Sequence, residues 1–277
     1  LSPSETGIDF SNPILENEQI NILTYEYFHN GGGVAIGDVN NDGLSDIYFT
    51  GNLAPNSLYL NQGNLRFKDI TQYAGVGGPK GWNTGVTMVD INHDGWLDIY
   101  VCLSGNVPPE FRAYQLYINN QDGTFTEQAQ EYGKDDTGYA TQAAYLDFDL
   151  DGDLDLFILN HNILPINNFK PSEMRITHAS NVGDKLYENM GGKFQEVTQE
   201  VGIHTNPLGY GLGVSVGDLN NDGYPDIYVA NDFLEHDYCY LNQGDGTFKD
   251  VVKSAMPQVS QISMGTELAD FNNDGWM

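Results

Sequence analysis

The chain has 277 residues, enough for a sizeable core in one large unit, and 39 acidic against 11 basic residues give it a formal charge of −28. That surface excludes nucleic acid and anionic lipid as natural partners, and no window of 18 apolar residues exists to cross a bilayer as a transmembrane segment. Thirty-two glycines, 17 tyrosines and 13 phenylalanines suit many short strands and tight turns, not disorder.

The first repeat unit sets the pattern. Gly33-Val-Ala-Ile-Gly37 is a small, extended run, and Ile47-Tyr48-Phe49 is β-branched and aromatic, as strands are. Between them lies the loop Asp38-Val39-Asn40-Asn41-Asp42-Gly43-Leu44-Ser45-Asp46. Its positions 1, 3, 5 and 9 (Asp38, Asn40, Asp42, Asp46) carry oxygen side chains, and position 7 (Leu44) offers a backbone carbonyl. A hard cation needs such a set: Ca²⁺ takes six to eight oxygens at about 2.3–2.6 Å, and a glycine at position 6 permits the sharp turn. Further on, Leu58-Tyr-Leu-Asn61, a turn at Gly63 and Phe67 read as a third and fourth strand in a tight hairpin.

The unit then recurs. Its second loop offers Asp90, Asn92, Asp94, Trp96 and Asp98, followed by Leu116-Tyr-Ile-Asn119. The third offers Asp147, Asp149, Asp151, Asp153 and Asp155, followed by Leu186-Tyr-Glu-Asn189. In the fourth, Gly213-Val-Ser-Val-Gly217 leads to Asp218, Asn220, Asp222, Tyr224 and Asp226, then Cys239-Tyr-Leu-Asn242. A fifth begins with Asp270, Asn272 and Asp274, and the sequence ends at Met277, before a ninth position. Four complete Ca²⁺ sites are expected, with a fifth if the chain continues. Their side-chain ligand positions hold 13 aspartates, a third of the acidity. With four carboxylates against three elsewhere, the third loop is expected to bind most tightly.

An EF-hand is excluded, because it needs a glutamate at position 12 between helices. Position 12 here is Phe49, Val101, Ile158 or Val229, inside a strand-like run. Four strands per unit at a period of tens of residues signal an all-β chain, a β-propeller. Residues 1–277 are thus read as a single incomplete propeller of four complete four-stranded units and part of a fifth. From loop position 9 to the next third-strand landmark the spacing is 12, 18, 31 and 13 residues, whereas the remaining spacings are 31 or 32. Length variation therefore falls in the connection between the second and third strands. In a meander this lies on the face away from the cation loops, the better place for a binding site. The longest insertion, about 160–184, gathers His161, Lys170, Met174, Arg175 and His178, with Lys185 at its edge.

Enzyme signals are thin. Gly213-Val-Ser-Val-Gly217 matches a nucleophile elbow, but the repeat equivalents of Ser215 are Ala35, Thr87 and Ala144, so it reads as a small packing residue. The histidines at 29, 93, 161, 178, 204 and 236 show no paired spacing. Gly31-Gly32-Gly33 and Gly209-Tyr-Gly211-Leu-Gly213 lack the context of a phosphate loop and read as close-packing positions. Cys102 and Cys239 align with aliphatic and small repeat positions and read as core residues, not as a disulfide. Leu1 is not an initiator methionine, so a processed start is expected.

These units resemble FG-GAP or VCBS repeats, the calcium-loop blades also found in integrin α-subunits. The wording Thr24-Tyr-Glu-Tyr-Phe-His-Asn-Gly-Gly-Gly33 before residues 37–52 is similar to the cartilage acidic protein family and its bacterial relatives. That resemblance implies a seven-bladed whole, and a non-enzymatic, calcium-stabilised module at the extracellular or outer-membrane surface, lipid-anchored upstream of residue 1. It further implies protein partners such as an outer-membrane uptake complex. A carbohydrate-binding propeller, or an accessory domain of a glycan-active enzyme, is the alternative.

Overall fold

The computed structural model describes residues 1–79, 81–163, 171–175, 177–179 and 181–277. The chain divides into two compact units, 1–138 and 139–277, each holding two four-stranded sheets. In the first unit, β1 (Val34–Gly37), β2 (Asp46–Phe49), β3 (Ser57–Asn61) and β4 (Phe67–Asp69) form one sheet. The other contains β5 (Trp82–Val89), β6 (Asp98–Ser104), β7 (Gln115–Asn119) and β8 (Phe125–Glu127). The second unit repeats the plan with β9 (Ala140–Leu146), β10 (Asp155–Asn160), β11 (Lys185–Asn189) and β12 (Phe194–Glu196). Its fourth sheet is β13 (Gly211–Gly217), β14 (Asp226–Asn231), β15 (Tyr238–Asn242) and β16 (Phe248–Asp250).

Every sheet is an antiparallel meander in sequence order, so the fold is all-β, four blades of part of a β-propeller. Each predicted cation loop joins the first two strands of a sheet, with registers that close on Gly37 and Asp46, Val89 and Asp98, Leu146 and Asp155, and Gly217 and Asp226. β5 starts three residues earlier than the run Gly85–Val89 suggests, because a register shift between Asn83 and Val86 carries pairing on to Trp82.

Burial explains the strand composition. β6 is buried along its whole length, and a strand covered on both faces reads as a continuous apolar run instead of an alternating one. In the second unit Leu146, Phe157, Leu159, Leu186, Val229 and Tyr240 share one core. Cys102 and Cys239 are both free and buried, as a core role requires. First strands of neighbouring sheets pack within each unit, β1 on β5 and β9 on β13. A Cβ at Gly33 would lie 2.6 Å from the carbonyl oxygen of Thr84. At Gly213 it would lie 2.8 Å from the Cα of Gly265, so both glycines serve close approach.

A second device repeats at the strand ends away from the loops. The N–H of Gly51 donates to Asn56 Oδ1 (3.1 Å), that of Asn160 to Asp184 Oδ1 (3.1 Å), and that of Asn231 to Asp237 Oδ1 (2.9 Å). Burial pushes the Asp184 carboxyl up to about 8. An unfolded aspartate releases its proton near pH 4, so the folded chain holds one proton more between about pH 4 and 8. The stability this contributes is complete below pH 4 and lost as pH rises through about 8. Asp184→Asn, which copies Asn56, should flatten that loss in denaturant titrations between pH 6 and 9. Equal slopes for variant and wild type would refute the assignment.

Within the long insertion, residues 164–170, including Lys170, lie outside the described residues. His161 is fully buried and pairs as a β-bridge with Tyr210. Burial holds its imidazole down to about 3. Arg175 reaches Glu235 at 3.0 Å, His178 meets Thr205 Oγ1 at 2.7 Å, and Lys185 approaches Glu196 at 3.9 Å. Ser215 pairs with Tyr228 within β13, not on a strand-to-helix elbow.

Candidate metal centre

Each loop is wound by its own side chains. At position 1, Asp38 accepts the N–H of Asp42 (3.1 Å) and of Gly43 (2.7 Å), and Asp90 and Asp218 repeat both bonds. Position 5 then accepts from position 7: Asp42 from Leu44, Asp94 from Trp96, Asp151 from Asp153, and Asp222 from Tyr224. The turn needs left-handed backbone at position 6, where Gly43, Gly95, Gly152 and Gly223 have φ between 85° and 98°. Asp270, Asn272 and Asp274 of the fifth loop make the same bonds.

Position 3 separates the third loop from the others. Asn40, Asn92, Asn220 and Asn272 each donate Nδ2 to the position-5 carboxylate at 2.8–3.1 Å, an amide taking the place of a cation. Asp149 has no such donor. Asp147, Asp149 and Asp151 instead bring carboxylate oxygens within 4.8 Å of one another. Oδ1 of Asp147 is buried with no hydrogen-bond partner. Three converging carboxylates and an orphaned buried oxygen fit a dication.

Position 9 does more than the sequence suggested. Asp46, Asp98, Asp155 and Asp226 are at most 1% exposed. One oxygen accepts the position-2 N–H: Val39 (3.0 Å), Ile91 (3.1 Å), Phe148 (3.0 Å) and Leu219 (2.8 Å). The other accepts the N–H of the third-strand asparagine: Asn61, Asn119 and Asn242 at 2.8 Å, and Asn189 at 2.9 Å. Each carboxylate is a buckle joining loop, second strand and third strand, with lone pairs left for an ion. Burial pushes Asp98 up to about 6 and Asp155 up to about 7, against the backbone N–H bonds, and neighbouring loop carboxylates add to the rise. A dication in the loop would reverse that last contribution.

Neighbouring loops also touch. Asn41 Nδ2 donates to the Gly95 carbonyl at 3.0 Å, and Asn221 Nδ2 to that of Gly275 at 3.3 Å. Asn119 Nδ2 reaches the Val39 carbonyl and Asn242 Nδ2 that of Phe148, so adjacent sheets are tied at the loop ends within each unit.

If the third loop holds its ion most tightly, Asp151→Ala should abolish the highest-affinity calcium site in calorimetry. A tightest site that survives Asp151→Ala would overturn the ranking. Asp149→Asn, which copies the other loops, should lower its affinity toward theirs.

The sequence profile of the FG-GAP-like repeat matches residues 28–101, 107–158, 176–229 and 218–277. Cartilage acidic protein 1 of Mus musculus is 27% identical over 99% of this chain and 44% of its own length. That of Homo sapiens is 28% identical over 88% of this chain and 38% of its own length. The chain thus spans less than half of these relatives. Among solved structures, an Agrocybe aegerita lectin with specific recognition of non-reducing terminal N-acetylglucosamine has a TM-score of 0.42, 20% identity, and covers 78% of this chain and 50% of its own. The biofilm matrix protein Bap1 of V. cholerae has a TM-score of 0.43, 16% identity, and covers 81% of this chain and 30% of its own.

Proposed function

The chain belongs to the FG-GAP-like repeat family, and from that premise we propose that it is a calcium-stabilised module that binds a protein partner at the cell surface. One observation carries the reading: the third loop converges Asp147, Asp149 and Asp151 around an orphaned buried oxygen. Extracellular modules hold Ca²⁺ at about 10⁻⁴–10⁻³ M, concentrations met outside the cytosol. When bound, the ion supplies charge neutralisation and a crosslink between loop positions. Asp38, Asn40 and Asp42 and their equivalents would hold it, while the position-9 aspartates fasten the loop to the sheet. Among the described residues no helix is long and apolar enough to cross a membrane. A lipid anchor, or a partner such as an outer-membrane uptake complex, would hold the module at the surface.

Proximity labelling from this chain on intact cells tests the proposal. Surface-exposed proteins should be labelled in millimolar calcium and lost after chelation. Labelling confined to cytosolic proteins would contradict it.

A specific feature favours a second reading, carbohydrate binding. In the first unit a groove of about 1460 Å³ is lined by Tyr73, Trp96 and Tyr117 together with Gln115, Gln121 and Asp122. Aromatic faces beside amide and carboxylate groups suit the apolar faces and hydroxyl edges of a sugar. Binding on a glycan array that Tyr73→Ala abolishes would establish this reading, and a blank array would remove it.

A further inference from the structure

Two histidines that look scattered in the sequence meet at the end of the fourth sheet remote from its cation loop. Oδ2 of Asp250, the last residue of β16, lies 3.6 Å from Nε2 of His204 and 3.9 Å from Nε2 of His236. Oδ1 of the same carboxylate accepts the N–H groups of Cys239 (3.2 Å) and Val252 (3.1 Å). Those two bonds fix the head group and leave Oδ2 turned to the imidazoles. Behind His236 stands Glu235, 2% exposed. Its Oε2 pairs with Arg175 at 3.0 Å. Its Oε1 lies 2.9 Å from Nδ1 of His236, out of line for a hydrogen bond, so this buried oxygen has no hydrogen-bonded donor.

We propose that His204, His236 and Asp250 form a site for a borderline divalent transition ion, zinc by preference, distinct from the oxygen-only loops. Imidazole nitrogens suit zinc and disfavour calcium. Ligand atoms about 2.0 Å from a tetrahedral zinc stand roughly 3.3 Å apart, so His204 at 3.6 Å and His236 at 3.9 Å stand beyond their places relative to Asp250 by about 0.3 and 0.6 Å. The two imidazoles stand wider from each other than the 4.8 Å that encloses the third-loop carboxylates. His204, which packs on the rings of Tyr238 and Tyr240 (centroids 4.9 and 5.7 Å), would turn toward Asp250 to enclose the ion, and the fourth position is left to water. A carboxylate that accepts the other ring N–H of a ligating imidazole orients it and raises its basicity, and Glu235 Oε1, 2.9 Å from Nδ1 of His236, would take that part once the ring turns to bind the ion. Charge favours the ion as well: Glu235 is paired with the Arg175 guanidinium at 3.0 Å, while the nearest basic groups to Asp250 Oδ2 are the two imidazoles. The bound ion would tie the linker after β12 to the β14–β15 connection. Through Glu235 it would also hold Arg175 of the long insertion.

The test uses the full chain held in millimolar calcium and titrated with Zn²⁺ by calorimetry and with Co²⁺ by visible absorption. One additional ion per chain is expected, with the intense bands of nitrogen-coordinated tetrahedral cobalt. Affinity should fall at least tenfold in His204→Ala and in His236→Ala, and stay unchanged in His29→Ala. Weak, octahedral-type cobalt bands in the wild-type chain would overturn the site whether or not the variants fold. So would zinc uptake that the double histidine variant leaves unchanged, which would leave the histidines as ion-paired structural residues.

Discussion

Chelating divalent ions should lower the melting temperature of this chain by about 12–24 °C, and magnesium should restore little of it. A loop with a dissociation constant of about 10⁻⁴ M contributes roughly 1.4 kcal/mol of stability at millimolar free calcium. Four complete loops sum to about 6 kcal/mol, and for a chain of this size each kcal/mol moves the midpoint by about 2–4 °C. The loss should be steepest in the second unit, where the carboxylates of Asp147, Asp149 and Asp151 share no amide donor and repel one another once the ion leaves. Magnesium demands near-ideal octahedral geometry at about 2.0–2.1 Å and gives up water reluctantly, so a loop built for a larger ion serves it badly. Superimposable melting curves with and without chelator would refute the crosslinking role.

Asp98→Ala should cost about 3–5 kcal/mol in chelator, and more in calcium, where the second loop's ion is lost as well. The carboxylate is fully buried and accepts N–H bonds from Ile91 (3.1 Å) and Asn119 (2.8 Å). Charge-assisted bonds are worth about 1.5–3 kcal/mol each, and two buried N–H groups would be left without acceptors. Asp94→Ala supplies the contrast. Asp94 is exposed and its bonds stay within its own loop and the nearby turn. Its loss should cost under about 1 kcal/mol in chelator, yet remove the second loop's ion in calcium. Denaturant titrations of both variants with and without calcium separate the two roles. Equal costs for the two variants in chelator would mean that position 9 is a ligand only.

Much of this was legible because the repeats align. Each loop's glycine and oxygen spacing fixed the turn, and the runs after Asp46, Asp98, Asp155 and Asp226 marked the second strands. The relation of position 9 to the third-strand asparagine was hidden by spacing. Asn61 follows Asp46 by 15 residues, while Asn189 follows Asp155 by 34, so no fixed motif joins them. The bond becomes visible only when the variable connection is folded away. Asn41 and Asn221 were unremarkable for a related reason, since their partners, Gly95 and Gly275, belong to the next repeat. His204, His236 and Asp250 come from a linker, a connection and a strand end, and only the meander brings them together. Arg175 stood out as a basic residue in an acidic chain, but its partner Glu235 could not be named without the packing of the insertion.

Calcium stoichiometry by equilibrium dialysis is the most direct test of the central claim that these loops are ion sites. At least four ions per chain are expected at millimolar free calcium, falling by one for each variant that places alanine at position 5: Asp42→Ala, Asp94→Ala, Asp151→Ala and Asp222→Ala. Fewer than two bound ions, or a count that these four variants leave unchanged, would contradict it.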